Sequence, residues 1–366
     1  MFSFKEKVFK KIRPLIELPV GGMDISDLSI KYVKFGYRKN DLTLDFWGEF
    51  ELPEGLIVHG EIKDEAGLTK LLSSWIAREG KKFRFTFFAV SLPEEKSFLS
   101  RIQLPKVKKE DVANAVRWEI EPNIPLSAEE TVFDYEIISS PGGREDHMDV
   151  VVTAFPRSII DSYLKVLKEA GLKIAFLELE SQAIARAVVG GLEDNQSRIL
   201  VDLGRNRTSI ILFDGSSIIF TNTVAIGGLI FEESISRDLS INKEGASSVK
   251  KEYGLDPKAY EGKLFSALMP SVTELKTEIG RVVNFYESKG LHMHEAGPKI
   301  KEIILTGGDA NLDGLDTFLA SSLRISVRKA DPFASVRERL NMLVPPIDRR
   351  RNRGFTTAVG LAMRGI

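Results

Sequence analysis

Apolar residues along this chain recur at two periods. Alternating or continuous apolar runs predict strands over Val20–Ile25, Ser29–Phe35 and Leu42–Leu52, joined by short turns. Helical spacing follows over Asp64–Glu79, where Leu68, Leu71, Leu72, Trp75 and Ile76 share a face. FRFTFFAVSL reads as a buried strand closed by Pro93. The pattern changes near Ser97. SFLSRIQLP predicts a strand and KKEDVANAVRWEIEPNI a helix, with Val112, Val116 and Ile120 at spacing four. TVFDYEIIS and HMDVVVTAF predict strands on either side of a flexible SSPGGRED. SIIDSYLKVLKEAG then reads as a helix capped by Gly171. This strand-helix-strand-strand-helix block looks inserted, because LKIAFLELE and the helix SQAIARAVVGG resume the first layer.

A second layer starts at Arg198, with three strands leading to AIGG. Helices LIFEESISRDL, KEGASSVKKEYG and SVTELKTEIGRVVNFYESKG predict a helical lobe. The strand KEIILTGGDA, the helix DGLDTFLASSL and the strand RISVRK come next. GFTTAVGLAMRGI reads as a closing helix, and the preceding run Arg349–Arg353 as a solvated loop.

Two stretches repeat each other within this pattern. GGMDISDLSIKYVKF and RILVDLGRNRTSIILFDG each end an apolar strand in aspartate, Asp24 and Asp202, before a tight turn and a second strand. They lie too far apart for a solenoid repeat and suit two similar domains facing each other across a cleft. Length agrees, since 366 residues exceed one compact core. With 43% apolar and 28% charged residues the chain falls among soluble globular proteins. A net charge of -1 gives no global attraction for nucleic acid. The absence of cysteine excludes disulfides, thiolate zinc sites and cysteine nucleophiles, and suits a reducing cytoplasm. No apolar run reaches transmembrane length.

The N-terminus carries Phe4, Val8, Ile12 and Leu15 on one stripe, with Lys5, Lys7, Lys10, Lys11 and Arg13 around it. A basic amphipathic helix of this kind rests on an anionic membrane surface or docks on its own protein, and both readings stay open for residues 1–16. The two aspartates would hold a magnesium ion through its water, one from each domain. The pairs Gly227-Gly228 and Gly307-Gly308 precede helices, where backbone amides receive anions. No P-loop, nucleophile elbow or Ser-His-Asp order is present.

These residues resemble a known family. GGMDISDLSIK is similar to the first phosphate motif of the actin superfamily, ILVDLGRNRTSI to the second, and EIILTGGDANLDGLDTFLASSL to the adenosine motif. EDVANAVRWEIEPNIPLSAEETVFDYEII resembles the inserted subdomain of the PilM family of type IV pilus assembly, and ADPFASVR and AVGLAMRGI resemble its C-terminal part. FtsA is a more distant relative. The resemblance implies an α/β actin-like fold of duplicated ribonuclease-H-like domains. The expected divisions are an amphipathic segment 1–17, a first domain in two parts (18–95 and 173–197), an insertion (96–172), a second domain (198–335) with a lobe at about 229–298, and a return 336–366. The implied ligands are ATP and magnesium, with nucleotide contacts from Asp24, Ser26, Asp27, Ser29, Lys31, Asp202, Gly204, Arg205, Asn206, Thr208, Gly227, Gly228, Ser247, Lys250, Gly307, Gly308 and Asp309. Glu180 is the residue expected to position a hydrolytic water, for at most a slow ATPase.

The implied partners are the N-terminal peptide of a PilN-like inner-membrane protein and other pilus platform proteins, with self-association left open. The implied location is the cytoplasmic face of the inner membrane. An FtsA-like polymerising scaffold is the alternative, and a sugar or acetate kinase a third reading without an identifiable substrate base. Four changes depart from the pattern. Asp27 places a carboxylate where a phosphate is expected. Arg205, Asn206 and Arg207 follow Gly204 in place of small residues. Ser247 replaces a ribose-binding glutamate, and Asp309 replaces a small residue. Two outcomes are open: an arginine neutralises Asp27 and phosphates together, or Asp27 and Arg205 or Arg207 close the cleft as a salt bridge.

Overall fold

The computed structural model describes residues 20–38, 41–138, 147–190, 195–289, 299–340 and 345–366. The N-terminal stripe and the SSPGGRED segment lie outside these residues.

Strand β1 (Val20–Ile25) is apolar at nearly every position because both faces are covered. It pairs antiparallel with β2 (Ser29–Arg38), which pairs with β3 (Asp41–Glu51). A short hairpin, β4 (Ile57–Val58) and β5 (Glu61–Ile62), leads to helix α1 (Glu65–Glu79). Asp64 caps that helix by accepting the Gly67 N–H at 2.8 Å. FRFTFFAVSL departs from its expected strand. Lys81–Arg84 forms a helical turn, α2, and β6 starts at Phe87 (Phe87–Leu92). Phe83 on this turn is buried, with ring centroids 4.9 Å from Trp75, 5.1 Å from Tyr32 and 5.3 Å from Phe88. A continuous apolar run does not distinguish a buried strand from a buried turn of helix, and here tertiary packing decides.

The insertion comprises β7 (Phe98–Pro105), α3 (Val112–Asn123), β8 (Thr131–Ile138) and β9 (His147–Pro156). Its sheet has the order β7-β9-β8. Val112, Val116 and Ile120 of α3 pack on Ile102, Leu104, Val150 and Val152 to form a separate core. Helix α4 (Arg157–Glu169) behaves differently from the sequence grouping, which placed it with this block. Its Ile159, Tyr163, Val166 and Leu167 join the core of the first domain, and Tyr163 donates its hydroxyl to the Gly60 carbonyl at 3.0 Å.

Strand β10 (Lys173–Leu179) returns beside β6, and α5 (Glu180–Val188) follows. The second domain runs through β11 (Arg198–Leu203), β12 (Thr208–Phe213), β13 (Ile218–Val224), α6 (Gly228–Leu239), α7 (Lys243–Tyr253) and α8 (Lys263–Lys289). It continues with β14 (Glu302–Thr306), α9 (Leu315–Leu323), β15 (Ser326–Lys329) and α10 (Ala334–Leu340). The chain ends with α11 (Arg349–Asn352) and α12 (Thr356–Ala362).

The two large sheets have matching orders, β3-β2-β1-β6-β10 and β13-β12-β11-β14-β15, and matching strand directions. Each has three antiparallel strands followed by two parallel ones. An apolar seam joins the halves: Ile184, Ala185 and Val189, on or just after α5, pack against Leu200, Ile211, Ile304 and Ala330. Each isoleucine, leucine or valine of this seam contributes about 1.5–3 kcal/mol when fully buried. Helix α12 is buried along its whole length. Its small residues allow contact distances that side chains would block. A Cβ on Gly360 would stand 1.8 Å from the Ala183 carbonyl oxygen, and one on Gly22 of β1 would stand 1.9 Å from that of Ala358.

Candidate functional site

The turns after β1, β11 and β14 meet around a cleft of about 600 Å³ between the two sheets. Asp24 sits opposite Lys31 in the β1–β2 ladder, and Asp202 opposite Ser209 in the β11–β12 ladder. The two aspartates therefore hold equivalent backbone positions. Gly307 (φ 88°) lies beside Asp202. A Cβ there would meet the Leu203 carbonyl oxygen at 2.4 Å and Asp202 Oδ1 at 2.9 Å, so the turn admits only glycine. Beside it, Gly308 faces open space.

The carboxyl groups on the cleft floor are short of compensating charge. Burial pushes Asp24 up, and Lys31 and a 3.1 Å hydrogen bond from the Ser91 hydroxyl pull it back. Burial, then the charge of Asp24, pushes Asp202 up to about 7. Glu180, on the first turn of α5, is driven well above the usual range by burial, against the pull of Arg207. Buried carboxyls that raise one another suit a hard cation. Asp24 and Asp202 would hold a magnesium ion through its water, and the ion would neutralise phosphate oxygens. All three groups have folded pKa values above their unfolded ones, so their neutral forms favour folding. That contribution is fully present below the unfolded carboxylate range and is lost as pH rises, through about 7 for Asp202. The melting temperature in EDTA is expected to fall between roughly pH 5 and pH 8, with millimolar magnesium recovering it at the upper end. A profile that is flat and indifferent to magnesium would remove the cation site.

Arg207, not Arg205, closes on Asp27. Its Nη1 lies 2.7 Å from Glu95 Oε1 and 3.5 Å from Asp27 Oδ2, and its Nη2 3.7 Å from Glu180 Oε1. All three carboxylates belong to the first domain, so one side chain of the second domain bridges the cleft. Asp27 also accepts the Gly60 N–H at 2.9 Å, the His59 N–H at 3.1 Å and the Asn206 amide at 3.4 Å. The sequence suggested an anion facing a phosphate, whereas the partners of this carboxylate are the β4–β5 turn and Arg207. Carboxylate and imidazole atoms of Asp27, His59 and Glu95 lie within 4.8 Å of one another, and Arg207 supplies positive charge there.

The other departures also compensate one another. Lys250 Nζ lies 2.5 Å from Asp309 Oδ1 and 2.9 Å from Glu232 Oε1, and donates to the Gly228 carbonyl at 3.3 Å. Arg205 reaches Glu232 at 3.5 Å, and the Ser247 side chain bonds the same carboxylate. Glu232 is held below the usual carboxylate range: burial raises it, and the bonds from Lys250 and Ser247 more than offset that.

Of the residues singled out in the sequence, Asp24, Ser26, Asp27, Ser29, Lys31, Glu180, Asp202, Gly204, Arg205, Asn206, Lys250, Gly307, Gly308 and Asp309 line the cleft. Thr208, Gly227, Gly228 and Ser247 are not among its lining residues. Thr208 donates its hydroxyl to the Ile226 carbonyl at 2.6 Å, and Gly228 its N–H to the Gly204 carbonyl at 3.0 Å, so they shape the turn behind the wall.

The arginine run corrects a second expectation. Arg349–Asn352 is helix α11, and Arg350, Arg351 and Arg353 line the cleft. Asp348 caps α11 by accepting the Arg350 N–H at 2.8 Å. The Gly307 N–H donates to the Arg353 carbonyl at 3.2 Å, and the Asn311 amide to that of Arg350 at 2.6 Å. A signal was present in the sequence: this run joins the second domain to a closing helix of the first, a path that crosses the cleft mouth.

Comparison with known proteins agrees with this architecture. A family model described as type IV pilus assembly protein PilM matches residues 22–366. The solved PilM-PilN type IV pilus biogenesis complex superposes with a TM-score of 0.77 at 23% identity, covering 95% of this chain and 99% of that one. MreB5 of Spiroplasma citri bound to ADP gives 0.55 at 12% identity, covering 94% of each chain. FtsA of Bacillus subtilis is 24% identical over 205 residues, which is 50% of this chain and 44% of FtsA. FtsA of Neisseria meningitidis serogroup B is 23% identical over 246 residues, 62% of this chain and 56% of FtsA. The chain spans about half the length of these curated relatives. The structural likenesses establish an actin-like fold. No helix of the described residues is long and apolar enough to cross a membrane. With the family match running from β1 to the last residue, through both sheets and the insertion, the chain belongs to the type IV pilus assembly protein PilM family.

Proposed function

We propose that this protein is a scaffold on the cytoplasmic face of the type IV pilus inner-membrane platform. It takes Mg-ATP in the interdomain cleft and the N-terminal cytoplasmic peptide of a PilN-like membrane protein beside the inserted sheet. The observation that supports this most is the family match, which covers the cleft and the insertion alike. The inserted sheet leaves β8 on one edge. An edge strand offers backbone donors and acceptors to an extended peptide. Trp118 on α3 is 82% exposed and Ile137 on β8 is 43% exposed, which adds apolar contact surface.

Titration calorimetry of the chain with the peptide tests this reading. Saturable heat is expected, with affinity about tenfold weaker in Ile137→Lys. No heat at high peptide concentration would reject the partner. The curated matches to FtsA favour a second reading, polymerisation on membranes. Electron microscopy with lipid and ATP separates the two, since long protofilaments belong to the second.

A further inference from the structure

The basic side chains around the cleft are not equally satisfied. Lys31, Arg205, Arg207, Lys250, Arg350 and Arg351 each have a carboxylate within 4.0 Å. Lys251 and Arg353 have none among the described residues; Lys251 is exposed, whereas Arg353 is half-buried. Its guanidinium donates through Nη1 to the Asn311 side-chain oxygen, and its Nε is buried with no hydrogen-bond partner. Burial holds its pKa below the usual arginine range. A partly desolvated guanidinium with no carboxylate beside it costs free energy unless an anion meets it.

The surroundings indicate what kind of anion. Arg353 lines the cleft on the Gly307–Asn311 side. At the next residue, a Cβ on Gly354 would stand 3.7 Å from Lys31 Cε and 3.8 Å from Gly308 Cα. Lys31 and the open face of Gly308 are therefore neighbours of this arginine's backbone. The Arg353 guanidinium charge, an ammonium group and an unobstructed glycine backbone together match a phosphate.

We propose that Arg353, with Lys31 and Gly308, forms a phosphate subsite that makes the cleft select polyphosphorylated ligands over uncharged ones. The proposal deepens the nucleotide reading given above and rests on it for the identity of the natural ligand, but not for the presence of the subsite. It also gives the arginine a coupling role. Arg353 is held by the Gly307–Asn311 turn of the second domain and stands three residues before α12 of the first, so a phosphate on its guanidinium contacts both halves.

Calorimetry on the full chain tests it with three probes: Mg-ATP, inorganic tripolyphosphate and adenosine. Arg353→Met is expected to weaken Mg-ATP and tripolyphosphate by roughly ten- to hundredfold and to leave adenosine unchanged. Arg353→Lys keeps the charge without the guanidinium and is expected to lose about fivefold. Circular dichroism and melting of both variants check that they fold, and a misfolded methionine variant leaves the lysine variant as the test. If both variants bind the two phosphate probes like wild type, or wild type binds neither, the subsite is overturned. Binding of tripolyphosphate through Arg353 with no binding of Mg-ATP would uphold the subsite and reject the nucleotide reading. Mg-ATP binding indifferent to Arg353 would do the reverse.

Discussion

Replacing Arg207 with methionine is expected to destabilise the chain by about 3–5 kcal/mol, the usual cost of removing one partner from a buried ion cluster. The side chain is only 14% exposed and faces Asp27, Glu95 and Glu180. Without it, three carboxylates from one domain face each other with no positive group between them. Burial raises Glu95 already, and Arg207 is the largest influence holding it down. Urea unfolding near neutral pH measures the loss. Acidification is expected to recover part of it, because protonating the stranded carboxyls removes their repulsion. Adding Glu95→Gln should also recover part, so the double variant is more stable than the arginine variant alone. A change under about 1 kcal/mol would mean that solvent screens the cluster and that Arg207 does not hold the domains together.

Gly360→Ala carries the second large effect. One added methyl group would fall 1.8 Å from the Ala183 carbonyl oxygen, between two helices with no flexible side chain to yield. Overpacking of a rigid backbone contact costs about 1–3 kcal/mol, and this one involves the helix that seals β1. Arg186 also donates to the Gly360 carbonyl at 2.8 Å, and its other bonds go to Glu178, which Arg364 contacts as well. Displacing α12 therefore disturbs an ion cluster together with the core. A melting temperature lowered by several degrees is expected. A variant that melts like wild type would show that α12 is less tightly seated than these contacts imply.

The sequence carried the fold well where periodicity and repetition agreed. The twin strand-aspartate-turn units translate into sheets of one topology, and the spacing of Val112, Val116 and Ile120 into the insertion core. Two kinds of error have physical causes. Phe83 lies in a run whose hydrophobicity is clear but whose conformation depends on Trp75 of the preceding helix and on Tyr32, distant in the chain. The arginine run reads as a solvated loop; Arg349, Arg350 and Arg351 are exposed, but the segment is helical and borders the cleft because the helix it precedes dictates its path. Unusual residues at the site are visible as departures, and the pairing of Asp27 with an arginine after Gly204 is one of two outcomes the sequence leaves open, but the other pairings are not legible there. That Asp309 answers Lys250, and that the β4–β5 turn joins Arg207 on Asp27, depends on contacts no local pattern encodes.

The equivalent ladder positions of Asp24 and Asp202 have one more consequence. The backbone was doubled, but the residues across the ladder were not: Lys31 faces Asp24, and Ser209 faces Asp202. One carboxylate is thus partly compensated within its own sheet and the other is not. A cation held between them would meet an uneven field, because the lysine stands on the side of the first domain. The internal symmetry of the fold is broken at its centre by one lysine.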